Sequence, residues 1–392
     1  MRVRTRHAVG LLLGLALIIA VFRVVPYVRF APRPPGPVPA LVVRGAIHVH
    51  LPADPRAFHR LVSAARRRHL DFIIFSAADG LDAARDGREG YYTVRGAGQD
   101  GGRPLLVLIG AEISTDRGNL LVVGGDPRRP LPLTRRADRV IAAATQLGAV
   151  TLALGPCDRP GPPGTRVSPA TPDPPANLAS VEAISLAATL SSNRYLDLAV
   201  AGAVAPVDLA GALASVTPTW HPDGGLPAPL HWAGAAAPTG GVGLSAGKSW
   251  GDGPETLGQA LDWVTTWLRL DARPGRRRET FDTDRAALIT ALAAGRSLAA
   301  VEAWGDPAAQ SLRRMGDRMD ARIQGETDSW IVLRRDGAIV VSGPGPGVSA
   351  PIAADGPWRA EFYRRRDAVG LPGSGWVLWV VAGEAFAREA SG

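Results

Sequence analysis

The pattern of apolar and polar positions is clearest over residues 44–80. Residues 46–50 form a short apolar run ending in His-Val-His. Asp54 is placed to cap a helix, and Pro55 suits the first helical position. Phe58, Leu61, Val62 and Ala65 then recur at helical spacing. Residues 66–69 put cations in the last turn, where the helix dipole favours them. Residues 71–76 have a wholly apolar middle, as buried parallel strands do. This stretch predicts strand, helix, strand, the usual opening of a barrel enzyme with a metal at the strands' C-terminal face.

The pattern continues as alternating elements. Residues 105–124 read as a strand and a returning strand, 135–147 as a helix, and 149–154 as a strand. A Pro/Gly-rich run over 156–175 is too long for an ordinary connection and predicts a mobile flap or a disordered loop. Strands are expected at 181–187 and 241–245, and a helix carrying Trp263 and Trp267 at 254–269. A charged linker, a helix at 284–295 and a strand at 297–303 follow. From 321 onward the pattern is that of strands. Residues 330–335 and 338–342 flank Asp336-Gly337, a two-residue hairpin signal, and 358–363 and 376–381 add two more. These predict a small antiparallel β-sandwich over 307–392.

The first residues read differently. Arg2, Arg4 and Arg6 precede an uncharged apolar stretch, 8–22, and 24–28 extend it beyond Arg23. The arginines predict a cytoplasmic N-terminus and an exported body. The expectation is an uncleaved transmembrane anchor over 1–28 in the inner (cytoplasmic) membrane, with the body in the periplasm or outside. A cleaved signal peptide is the rival reading. Residues 29–43 form a proline-rich, semi-rigid spacer.

Composition adds limits. The chain of 392 residues carries a net charge of +8, almost all of it arginine dispersed among Ala, Gly and Pro. No basic stripe interleaved with aromatics occurs, so no nucleic-acid partner is expected. Cys157 is the only cysteine, which excludes an internal disulfide.

The candidate chemistry starts from His48 and His50. They alternate with Val49, and strict alternation places both imidazoles on one side of a strand, as a shared metal needs. Residues 44–80, with their strand-terminal His-x-His, and 105–124, with Gly110-Ala111-Glu112-Ile113-Ser114, resemble the PHP (polymerase and histidinol phosphatase) family of metal-dependent phosphoesterases. The resemblance extends more weakly over 44–306. It implies a distorted (β/α)7 TIM-like barrel there, and it assigns His48, His50 and Glu112 as metal ligands.

The family pattern is incomplete. Ser76 matches its Thr-Asp-His-Asn-like turn, but Ala77 and Ala78 stand at the next two positions. Gly155, Ala246 and Lys248 stand where further metal- or substrate-binding side chains are expected. Asp79, Cys157, Asp158, His221 and His231 are nearby residues that could compensate. Lys248, the only lysine, is expected to reach Glu112 or an anionic ligand, so Lys248 and Asp79 are the catalytic candidates. Two readings follow. One is a one-metal phosphoesterase using Zn, Mn or Fe. The other is a non-catalytic ligand-binding or scaffold module, with no metal if the site is dead. A phosphate-containing or other anionic ligand suits both.

Overall fold

The computed structural model describes residues 38–78, 87–93, 103–126 except 117, 131, 136–154, 264–302, 305–325, 328–335, 338–353, 358–365 and 376–383. It also describes Gly14, Ile18, Leu261 and short strand pieces between 180 and 244.

The opening unit folds as its pattern predicts. Strand β1 (Val42–His50) leads into helix α1 (Pro55–Arg67) and then β2 (Phe72–Ala78). Asp54 accepts from the amides of Arg56 and Ala57 at 3.0 and 3.1 Å, and Pro55 begins the first turn. Phe58, Leu61, Val62, Ala64 and Ala65 form the buried stripe of α1, each large apolar side chain contributing about 1.5–3 kcal/mol. Next come β3 (Gly90–Tyr92), β4 (Leu105–Thr115), β5 (Gly118–Gly124), helix α2 (Ala137–Gln146) and β6 (Ala149–Ala153). Short strands follow: β7 (Ser180–Val181), β8 (Ile184–Ser185), β9 (Thr219–Trp220) and β10 (Val242–Leu244). The chain continues through β11 (Val264–Arg269), helix α3 (Phe281–Ala293) and β12 (Ser297–Val301). It ends in β13 (Gln310–Met315), β14 (Arg318–Ile323), β15 (Ser329–Arg335), β16 (Ala338–Pro344), β17 (Gly347–Pro351), β18 (Trp358–Arg365) and β19 (Trp376–Gly383).

The architecture corrects the barrel expectation. The main sheet is mixed and sixteen-stranded, and its path runs β16-β15-β18-β19-β12-β11-β1-β2-β4-β5-β6-β7. A (β/α)7 barrel needs parallel strands joined by helical crossovers. Here β1-β2 and β2-β4 are parallel, but β11 runs antiparallel to both β1 and β12, and β4, β5 and β6 form an antiparallel meander. Three α-helices are present among the described residues, too few to cross between seven parallel strands.

The predicted helix at 254–269 is corrected over 264–269, and 254–260 with 262 and 263 lie outside the described residues. Val264, Thr265 and Thr266 are stiff β-branched residues that favour a strand, and β11 places Trp267 in the core between β1 and β12. The C-terminal strands pair antiparallel as predicted, with Arg335 opposite Ala338 across the hairpin. They do not close as a separate small sandwich beside a barrel. β19 pairs with β12, so they extend the main sheet, and only β13-β14-β17 form a second sheet.

The expected transmembrane helix and single-pass inner-membrane location are not borne out among the described residues. Among the described residues no helix is long and apolar enough to cross a membrane. Of the stretch 1–28 that carried the expectation, only Gly14 and Ile18 are described.

Two cores sandwich the N-terminal half of the sheet. On one face α1 covers Val49, Ile73, Phe75, Val107 and Ile109, and α2 covers Leu120 and Val122 on that same side. On the other face Leu288, Ala291 and Leu292 of α3 pack with Ile47, Phe72, Ile74, Leu106, Leu108 and Leu121. Buried charge ties β1 to β11 and to the residue after β12. Arg44 donates from Nε to Glu302 Oε1 at 2.7 Å and from Nη1 to the Arg68 carbonyl at 2.8 Å. Trp267 Nε1 donates to the same Glu302 oxygen at 2.7 Å, and so does Thr265 Oγ1.

Candidate metal centre

The register of β1 holds one extra residue. Ala46 pairs with Ile73 and Val49 with Phe75, so three steps along β1 match two along β2. The pairing of β1 with β10 shifts at the same place, between Ile47 and Val49. His48 is the inserted residue, and its φ is 61°. A left-handed conformation at a residue other than glycine costs about 1–3 kcal/mol and tends to occur at functional sites.

This bulge decides which face the histidines use. In a regular strand His48 and His50 would share the face of Ala46, beneath α1. The extra residue turns His50 to the α3 face, where its register partner is Ser76. Ser76 pairs in turn with Gly110 on β4, and Ala78 pairs with Glu112. Paired residues on neighbouring strands point the same way, so His50, Ser76 and Glu112 share one face at the C-terminal ends of their strands. The alternation expected from the sequence is thus not what aligns the imidazoles.

The ligand atoms converge. His48 Nε2 lies 3.5 Å and His50 Nε2 3.7 Å from Glu112 Oε2. The two rings are tilted by 46° with centroids 5.3 Å apart. One donor atom from each of the three residues lies within 4.8 Å of the others. Two ligands on a tetrahedral ion with bonds near 2 Å stand about 3.3 Å apart, so these separations fit a shared ion better than they fit ordinary hydrogen bonds. His48, His50 and Glu112 therefore form a cluster that could hold a metal ion.

The surroundings shape it. Asn119 Nδ2 donates to Glu112 Oε1 at 3.0 Å, which leaves Oε2 to face the histidines. Burial pushes the Glu112 carboxyl up, but the two imidazoles beside it, His48 foremost, and the Asn119 amide together hold it below the usual glutamate range. His48 is buried while His50 is 47% exposed, so the centre opens to solvent on the His50 side. Asn119 carried no signal of its own in the sequence. It enters through the antiparallel pairing of Ser114 with Asn119, which sets it two positions from Leu121, the partner of Glu112.

The remaining candidates are not brought into view. Asp79, Lys248, Cys157, Asp158, His221 and His231, with Gly155 and Ala246, lie outside the described residues. Ala77 is described and belongs to the α1-face core, away from the centre.

No family model matches the chain, and no curated protein matches it.

Proposed function

We propose that the chain is a one-metal hydrolase of phosphoesters, with His48, His50 and Glu112 as its ligand set. The observation that supports this reading is the convergence of two imidazoles and one carboxylate, with one donor atom from each within 4.8 Å of the others. Two His and one carboxylate, with positions left for water or substrate, are a sufficient protein set for a catalytic divalent ion. Zn, Mn or Fe held there supplies Lewis acidity to a phosphoryl oxygen and lowers the pKa of water. The chain's own residues do the positioning. The bulge holds the His48 ring in the buried wall, the half-exposed His50 flanks the entrance, and Asn119 fixes the orientation of Glu112. The relation to PHP phosphoesterases implied by the strand-terminal His-x-His and the Gly-x-Glu-Ile-Ser strand is part of this proposal.

A second reading, a non-catalytic module that binds an anionic ligand, is favoured by Ala77 and Ala78, where the family turn carries an acid and a histidine. One experiment separates the two. Full-length chain is analysed for Zn, Mn and Fe and assayed on a generic phosphoester, beside His48→Ala and Glu112→Gln. The expected result is about one equivalent of metal and turnover in the parent, both lost in the variants. Metal without turnover selects the binding module. No metal in the parent at any tested ion concentration overturns the metal centre.

A further inference from the structure

Ser76 lies on the same face of the sheet as His50 and Glu112, and among the described residues its hydroxyl has no structural task. Its residue is only 3% exposed, and Oγ has no hydrogen-bond partner among the described residues. A buried hydroxyl ordinarily finds a partner, and one that does not calls for an explanation. The backbone of Ser76 is, by contrast, firmly held. Its carbonyl accepts from the amide of Leu51 at 2.9 Å, which closes the chain just past His50. Its register neighbours are His50 on β1 and Gly110 on β4, and Gly110 offers no side chain on that row. Phe75 and Ala77, on either side in sequence, point into the opposite core. The hydroxyl is thus fixed on a central strand, on the row of His50 and two positions from the row of Glu112, facing the same side as both.

We infer that Ser76 is a further binding group of the centre, its Oγ donating a hydrogen bond to the oxygen of a tetrahedral oxyanion held there. The inference rests on the metal reading above and names the ligand class, phosphate-like anions. A serine is suited to this place because its hydroxyl can donate to an oxyanion without adding charge or bulk to the wall.

Inorganic phosphate is the probe. Its affinity for metal-loaded full-length chain is measured by calorimetry for the parent, Ser76→Ala and Ser76→Thr, and the stability of each metal-free protein is measured by urea unfolding. Ser76→Ala is expected to keep the metal, to bind phosphate about 10-fold more weakly, and to be as stable as the parent or more so, because an unpartnered polar group is removed. Ser76→Thr is expected to restore most of the phosphate affinity. A parent chain that takes up no metal overturns the metal reading and this inference together. Metal uptake with phosphate affinity unchanged in Ser76→Ala overturns the Ser76 inference alone. A clear loss of metal-free stability in Ser76→Ala also overturns it, because it would show the hydroxyl serving the fold.

Discussion

If His48 sits in a left-handed bulge, glycine should be more stable there than alanine, the reverse of the order in an ordinary strand. Glycine in a strand is less stable than alanine by about 0.5–1 kcal/mol, because its unfolded chain is freer. At φ 61° an alanine meets the left-handed penalty of about 1–2 kcal/mol, which glycine escapes. At the middle of both ranges the two effects leave His48→Gly ahead of His48→Ala by about 0.75 kcal/mol. Both variants delete the same buried imidazole, so the loss of packing cancels in the comparison. Val49, the next residue, has no positive φ and supplies the control, where Val49→Gly should fall below Val49→Ala. The measurement is urea unfolding of the four variants with a chelator present, so that metal binding does not enter. With m near about 3 kcal/mol/M, the expected gap at position 48 is about 0.2–0.3 M in the midpoint. If glycine loses to alanine at 48 as it does at 49, the bulge is absent. The turn of His50 toward Glu112 then fails with it.

Two further predictions concern groups away from the centre. Arg44→Met strips the buried Glu302 of its cationic partner and should cost about 3–5 kcal/mol, whereas Arg44→Met with Glu302→Leu should cost far less than the two single changes summed. Additive costs in that double-mutant cycle would show that the pair is not coupled. Asp284 supplies a pH test. Burial pushes its carboxyl up, but hydrogen bonds from Tyr91, Thr280 and the amides of Gly275 and Arg276 hold it below the usual range. A depressed carboxyl adds stability above its unfolded pKa of about 3.9, and that stability is lost as pH falls through the folded value. Thermal unfolding of Asp284→Asn should therefore fall furthest below the parent near neutral pH and converge with it in acid. A gap that persists undiminished below the folded pKa would refute this assignment.

Much of the local structure was legible in the residues. Asp54, Pro55 and the stripe from Phe58 to Ala65 specify α1 through caps and a period that need no distant partner. The Asp336-Gly337 hairpin and the apolar run of β2 are local in the same sense, and His48, His50 and Glu112 could be singled out by residue type and place. What the sequence does not carry is which strand lies beside which, and in what direction. β11 is hydrogen-bonded to β1, and antiparallel to it, across more than two hundred residues of chain. A strand's own pattern records only that it is buried, since parallel and antiparallel neighbours bury the same apolar faces. The centre shows the same division. Alternation around Val49 describes a regular strand, and in a regular strand both histidines would face α1. Only the pairing of β1 with β2 reveals the extra residue, because a bulge is a mismatch between two strands and has no signature in one of them alone. Residue type thus set which groups are available for chemistry, and long-range strand pairing decided that His50, Ser76 and Glu112 meet on one face.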